Sequence, residues 1–137
     1  MARILAFDYG MKRTGLAVTD PLQIIASPLE TVATAHLWDF LHGYMQKEEV
    51  EAFVVGYPLK ADGSPTDSTA AIDAFIQELK KRYPSVQVHL VDEYGSSKDA
   101  VRAMIAGGTK QKYRRRKENI DRMAATLLLQ EFLQQRL

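Results

Sequence analysis

Cysteine is absent from the 137 residues of the chain. Its absence excludes a disulfide framework, a thiol nucleophile, a zinc–thiolate cluster and an iron–sulfur site. Long hydrophobic runs are missing as well, since the N-terminal apolar run covers only residues 4–7. A run of this length is too short for the core of a signal peptide or for a membrane span. We therefore expect a soluble, unprocessed protein of the cytoplasm.

A strong charge of one sign is also missing, because 18 basic residues face 17 acidic ones and leave a formal net charge of +1. The average composition therefore argues neither for nor against a polyanionic partner. A hydrophobic fraction of 46% over this length suits one compact domain. We expect a single domain spanning residues 1–137.

Five short apolar runs predict β-strands. They cover residues 3–8, 16–19, 23–32 with an interruption at Pro28, 52–56 and 86–91. Turn glycines Gly10 and Gly15 separate the first two runs and predict a hairpin. Because proline cannot donate a ladder hydrogen bond, the strand that contains Pro28 is expected at a sheet edge.

Apolar residues at helical spacing predict helices between these strands and after them. The predicted helices cover residues 37–44, residues 72–79, a segment around residues 101–105 that begins near Ser96 or Ser97, and a final helix from about Glu118. Three early strands followed by alternating helices and strands predict a mixed α/β sheet. The sheet should carry the hairpin on one side, parallel strands on the other and helices on both faces.

Three carboxylates stand at positions where catalytic residues are common. Asp8 ends the first predicted strand, Glu93 follows the last one, and Asp121 lies in the first turns of the final helix. Two of them have an alternative structural role, since Asp8 can form a turn and Asp121 can cap a helix. Asp92 and Glu93 are neighbours, so in a strand they face opposite sides and only one can join a given cluster.

Three carboxylates brought together repel one another unless a hard divalent cation neutralises them. Magnesium, or manganese in its place, suits such oxygen ligands. Two ions about 4 Å apart can activate a water molecule and stabilise the leaving oxygen in phosphodiester hydrolysis without cysteine or histidine. Asp8, Glu93 and Asp121 are therefore candidates for both metal binding and catalysis.

Basic residues are concentrated in one segment just before Asp121. Six of eight residues are cationic, namely Lys110, Lys112, Arg114, Arg115, Arg116 and Lys117. Such a run is often only a solvated loop, but beside an acidic metal site it can capture a polyanion. Lys12 and Arg13, in the predicted turn after Asp8, offer a second cationic contact or a solvated hairpin tip.

Four segments of the chain resemble the YqgF/RuvX family of Holliday-junction-resolvase-like proteins, over essentially the whole length. The matching segments are residues 7–15 with Asp8, Gly10, Lys12, Arg13 and Gly15, residues 54–64 with Gly56, Pro58, Asp62, Gly63 and Ser64, Val91-Asp92-Glu93, and residues 117–125 with Asp121. The resemblance implies a ribonuclease H-like fold with a five-stranded mixed sheet of strand order 3-2-1-4-5.

The resemblance also implies functional roles for these residues. Asp8, Glu93 and Asp121 would be the metal-binding acids, and Lys12, Arg13 and a loop with Gly56, Pro58, Asp62 and Gly63 would contact the nucleic-acid backbone. The expected substrate is structured RNA, with 5′-end processing of the 16S ribosomal RNA precursor as the first choice. Holliday-junction resolution on branched DNA is the alternative.

The chain departs from the family pattern after Glu93. Tyr94 and Gly95 stand where the family usually continues with arginine and leucine. A catalytically silent nucleic-acid-binding module is therefore a second alternative. A nucleotide phosphotransferase of the actin class is a third, although such enzymes close two domains of this kind around their nucleotide.

The strand order also sets a distance. With the strand that carries Gly56 between them, Asp8 and Glu93 should have backbones about 10 Å apart, which is two strand spacings. A glutamate side chain and a pair of metal ions can span this distance.

Overall fold

The computed structural model describes residues 2–57, 69–92 and 117–136, and at positions 92 and 117–121 it describes the backbone. The elements are β1 (Arg3–Asp8), β2 (Arg13–Thr19), β3 (Ala26–Ala33), a 3-10 turn (Thr34–His36), α1 (Leu37–Lys47), β4 (Val50–Tyr57), α2 (Thr69–Arg82), β5 (Gln87–Asp92) and α3 (Lys117–Gln135). The final helix begins within one residue of its predicted start. The predicted helix around residues 101–105 lies outside the described residues.

The strands form one five-stranded sheet in the order β3-β2-β1-β4-β5. β1 is antiparallel to β2 and parallel to β4, while β5 continues the parallel side. This arrangement confirms the predicted strand order, with the hairpin on one side and the parallel strands on the other.

The central strand β1 is buried on both faces of the sheet. Leu5 and Phe7 pack with residues of α1 and α2 on one face, and Ile4 and Ala6 pack with residues of α3 on the other. Successive side chains of a strand point to opposite faces, so an uninterrupted apolar run requires helices on both. Helices on both faces were predicted, and the two clusters confirm them.

The two faces of the sheet differ in side-chain size. Large rings fill the α1–α2 face, where Phe7 lies 5.6 Å from Phe53 and 5.2 Å from Phe75 between ring centroids. The α3 face is lined by small residues, among them Ala6, Ala17, Ala52 and Ala125. Small side chains allow the backbone of α3 to approach the sheet closely.

The predicted interruption of the third strand at Pro28 is confirmed. Leu16 pairs with Glu30 and Ala17 pairs with Pro28, so the β2–β3 register shifts at Leu29. β3 occupies one edge of the sheet, where a proline within a strand is tolerated.

Two strands begin three residues away from their predicted starts. β2 begins at Arg13 rather than Leu16, because the ladder continues from the Asp8–Gly15 pair to the pairing of Arg13 with Ala33. Residues 23–25 form a turn rather than the start of β3.

The Asp20 carboxylate explains that turn. It accepts hydrogen bonds from the backbone N–H groups of Ile24 and Ile25, both at 2.8 Å, and of Leu22 at 3.2 Å. Gln23 adopts a φ of 59°, in the left-handed region. These bonds occupy the N–H groups that a strand would need for its ladder.

Within the described ranges, none of the helices combines the length and the apolar character that crossing a membrane requires.

The Asp20 turn gives a pH-dependent prediction. The hydrogen bond from Ile25, with those from Ile24 and Leu22, lowers the pKa of the Asp20 carboxyl. A carboxyl whose pKa is lowered by folding stabilises the protein fully above its ordinary pKa, and this stabilisation is lost as the pH falls through the folded-state value. Asp20→Ala should therefore lower the melting temperature at pH 7, and its difference from the unmodified protein should shrink towards about pH 2.

Thermal unfolding followed by circular dichroism at several pH values measures this difference. Asp20→Asn keeps one acceptor oxygen without the charge and should fall between the two proteins. A melting-temperature difference that stays constant from pH 7 to the acid limit would contradict the assignment.

Candidate functional site

Asp8 is the last residue of the central strand β1 and is half-buried at the carboxyl end of that strand. Ile4 and Ala6 of the same strand face α3. Since Asp8 is two positions beyond Ala6, the alternation of the strand places it on the α3 face. Asp8 pairs with Gly15 of β2.

The parallel strands β1, β4 and β5 all have their carboxyl ends at this end of the sheet. Phe7 is in register with Val55, and Val55 is in register with Leu90. Gly56, buried near the end of β4, lies on the strand between β1 and β5. Two strand spacings, about 10 Å, therefore separate the ends of β1 and β5, as the predicted strand order requires.

Glu93 directly follows β5 and lies outside the described residues. Val91, two positions earlier in the chain, is buried in the cluster on the α3 face. The last described residue of β5 is Asp92, which pairs with Tyr57 of β4.

The direction of α3 follows from contacts at its far end. Arg136 donates a hydrogen bond of 2.8 Å to the Gln23 side chain, which itself donates one of 2.9 Å to the carbonyl of Ala2. The C-terminal end of α3 therefore lies beside the start of β1, and the helix runs back across the sheet towards the edge where β1 ends.

Lengths along the two elements show how far α3 reaches. From Asp121 to Arg136 there are fifteen residue steps, which span about 22 Å of helix. From Ala2 to Asp8 there are six residue steps, which span about 20 Å of strand. Counted from the contact between their neighbouring ends, position 121 and the end of β1 therefore lie at similar distances along α3 and β1.

The cations predicted next to Asp8 occupy two different positions. Lys12 is exposed in the turn between β1 and β2, and Arg13 is half-buried as the first residue of β2. The expected placement of Arg13 within the turn is therefore wrong by one residue. Of the remaining predicted nucleic-acid contacts, Gly56 is buried in β4 and the backbone of Lys117 begins α3. The others lie outside the described residues; they are Pro58, Asp62, Gly63, Lys110, Lys112, Arg114, Arg115 and Arg116.

Among the residues that the structure describes, no group of three or more histidine, cysteine, aspartate or glutamate side chains could hold a metal ion. The described side chains include one of the three predicted ligands, Asp8. The grouping of Asp8 with Glu93 and Asp121 therefore stays a prediction.

Sequence reasoning did not identify Thr34, which fixes the turn after Asp8. The Thr34 hydroxyl donates to the carbonyl of Gly10 at 2.6 Å, and the Thr34 N–H donates to the carbonyl of Lys12 at 2.9 Å. Because the Thr34 proton is used in this way, the buried Thr14 hydroxyl is the donor in the 2.9 Å bond between the two threonines. A threonine just after an edge strand gives no sequence signal for such a role.

Tyr57, the last residue of β4, is tied to α2. Its hydroxyl donates a hydrogen bond of 2.9 Å to the Asp73 carboxylate. This bond raises the pKa of the Tyr57 phenol, with burial as the second cause. The phenol thus stays a proton donor, and its bond joins the end of β4 to the start of α2.

Proteins of similar sequence match this chain over almost its whole length. A protein of Amoebophilus asiaticus (strain 5a2), named "Putative pre-16S rRNA nuclease", is 52% identical over 97% of this chain and 94% of its own length. A protein of the same name from Christiangramia forsetii is 49% identical over 97% of this chain and 98% of its own.

Solved structures of Thermus thermophilus RuvC share the fold. One of them, RuvC in complex with a Holliday junction substrate, superposes with a TM-score of 0.57 at 19% identity and covers 99% of this chain and 96% of RuvC. Another RuvC structure gives a TM-score of 0.54 at 18% identity. The fold is therefore ribonuclease H-like.

A family model described as RuvX, Holliday junction resolvase, matches residues 2–135. Because this model covers almost the whole chain and the relatives are about 50% identical over almost their full length, the chain belongs to the RuvX family.

Proposed function

We propose that this protein is a metal-dependent nuclease that hydrolyses phosphodiester bonds in structured RNA, and that its substrate is the 5′ region of the 16S ribosomal RNA precursor in the cytoplasm. The observation that carries the proposal is the near full-length similarity to relatives named as nucleases of that precursor. Membership of the RuvX family over residues 2–135 supports the same reaction type.

Asp8, Glu93 and Asp121 are the proposed metal ligands and catalytic acids. Asp8 lies on the α3 face at the edge where the parallel strands end. Position 121 is four residues before Ala125 and seven before Leu128, both buried against that face, and this spacing defines one stripe of a helix. The direction and length of α3 therefore favour a shared site for Asp8 and Asp121.

Glu93 would complete this site from the β5 side. The strand between β1 and β5 leaves about 10 Å to be bridged, which favours the longer glutamate over an aspartate at position 93. Three carboxylates offer the hard oxygen ligands that Mg²⁺ and Mn²⁺ accept. The donor set thus fits a divalent cation.

The proposed reaction is the addition of water to phosphorus with cleavage of the bond between phosphorus and the 3′ oxygen. This oxygen takes up a proton and leaves as a 3′-hydroxyl, and the other product keeps a 5′-phosphate. Divalent cations held by the three carboxylates would supply the charge that activates the water and stabilises the leaving oxygen. Asp8 and Asp121 would bind metal directly, while Glu93 would complete the ligand set or orient the water.

RNA binding is proposed to involve basic residues from two parts of the chain. Lys12 is exposed in the turn that follows Asp8, and the basic run extends to Lys117, the first residue of α3. The absence of a side chain at Gly56, at the end of β4, would allow a phosphate to approach the backbone closely.

Asp8→Asn tests the catalytic site. The substitution keeps the size of the side chain but removes its charge, so cleavage of precursor 16S RNA with Mg²⁺ should fall by at least about 100-fold, because loss of a ligand costs at least as much as loss of an outer-shell partner. RNA affinity and melting temperature should change little. Cleavage is followed on denaturing gels with end-labelled RNA.

Asp39→Asn is the matched control, since Asp39 is exposed on α1, on the opposite face of the sheet. It should leave the cleavage rate within about twofold. If the unmodified protein binds RNA but never cleaves it with Mg²⁺ or Mn²⁺, the protein is the silent binding module. If Asp8→Asn cleaves normally, Asp8 has no catalytic role.

Salt dependence tests the basic run. Each phosphate contact made by a lysine contributes about 0.7 to the slope of log affinity against log salt for single strands and about 0.9 for duplex. The double variant Lys110→Gln, Lys112→Gln should therefore reduce the slope by about 1.4 to 1.8, as measured by fluorescence anisotropy. The control is Lys80→Gln, Lys81→Gln, because these lysines are exposed at the end of α2 that leads to the start of β5. Equal slopes for both double variants would remove the basic run from the interface.

A second candidate function is Holliday-junction resolution, which the description of the matching family model favours. One preparation should be assayed on precursor 16S RNA and on a four-way DNA junction under identical conditions. The proposal predicts faster cleavage of the RNA, and faster cleavage of the junction would favour the second candidate.

A further inference from the structure

Hydrogen bonds from Thr34 hold the turn between β1 and β2, which directly follows Asp8. Thr34 binds the carbonyls of Gly10 and Lys12 from outside the turn. A Cβ atom at position 10 would clash with the carbonyl oxygen of Arg13, so the close packing of the turn depends on glycine there. Whatever the turn displays is therefore presented in a defined position.

The turn displays Met11, whose side chain is 71% exposed. The exposed Lys12 follows it directly, and Asp8 precedes it by three residues. Three backbone steps limit the separation of the Met11 and Asp8 Cα atoms to about 11 Å. At 3.4 Å per stacked nucleotide along one strand, this distance corresponds to about three nucleotides.

Other exposed apolar side chains lie elsewhere in the described part of the protein. Leu22, Ile24 and Ile25 belong to the Asp20 turn, which lies near the start of β1, and Leu90 belongs to the edge strand β5. Among the described residues, Met11 is thus the large exposed hydrophobic side chain on the turn that follows Asp8.

We propose that Met11 determines substrate specificity by packing against the face of an unstacked RNA base beside the phosphates bound at the catalytic edge. This inference rests on the proposed function. It adds the substrate class, which is RNA with an unpaired base next to a helical segment.

The chemistry of the side chain distinguishes it from its neighbours. A lysine or arginine that contacts phosphate binds duplex and single strands alike, because phosphate contacts do not read the bases. A thioether carries no charge and no donor, but it makes favourable contacts with aromatic faces. In a continuous duplex these faces are covered by neighbouring base pairs, whereas an unpaired base offers one, and methionine is among the side chains that insert at unstacked steps.

The test compares two RNAs that share one stem, a blunt duplex and the same duplex with a single-stranded 5′ extension. The first unpaired position carries 2-aminopurine, whose fluorescence reports stacking. Both RNAs are titrated with Asp8→Asn protein, with and without Met11→Ala, so that binding is read without cleavage. Met11→Leu keeps an apolar side chain, and Ile24→Ala, at a residue 66% exposed, is the control for loss of exposed apolar surface.

Met11→Ala should weaken binding of the extended RNA about three- to tenfold and leave the blunt duplex within twofold. Met11→Leu should keep most of the preference, and Ile24→Ala should keep all of it. Equal weakening for both RNAs, or no weakening at all, would overturn the role of Met11 even if the protein cleaves RNA as proposed. If the protein that retains Asp8 cleaves neither RNA with Mg²⁺ while the binding preference is intact, the proposed reaction alone is contradicted, and failure to bind either RNA would contradict both.

Discussion

The burial of β1 on both faces of the sheet is the constraint on which the architecture depends. Its apolar residues require α1 and α2 on one side and α3 on the other. A charged group inside this strand would be costly to desolvate. Asp8 avoids that cost by its position where the strand leaves the sheet, so the same burial that stabilises the fold restricts the carboxylate to the edge shared by the ends of β4 and β5.

Different polar contacts are made at the two ends of β1. Near the start of β1, Gln23 contacts Ala2, Glu51 and Arg136 and so joins the residue before β1 and the strand β4 to the residue after α3. These contacts mark where α3 ends. At the other end of β1, the threonine pair at positions 14 and 34 holds a turn that carries the exposed residues Met11 and Lys12. Polar contacts thus hold the end of α3 near the start of β1 and hold the turn that follows the end of β1.

The strand order was predicted through the resemblance of four segments to the YqgF/RuvX family. The helices on both faces were predicted from the residues, because the run in β1 is apolar throughout and α2 has clear helical spacing. The sequence prediction failed where side chains compete with the ladder. Ile24 and Ile25 read as strand residues, yet their N–H groups bind Asp20. The position of Asp8 at the end of β1 could be predicted, because a carboxylate directly after an apolar run is unusual. The role of Thr34 could not, because it depends on a contact with residues 20 or more positions away.

The central claim is that Asp8, Glu93 and Asp121, far apart in the chain, form one cation site. A crystal structure grown with Mn²⁺ tests it most directly, since anomalous scattering locates the ion independently of the protein atoms. If the three residues form one site, manganese will be in direct contact with oxygen atoms of all three carboxylates at the end of β1. Manganese bound away from Asp8, or a Glu93 or Asp121 side chain on another surface, would contradict it.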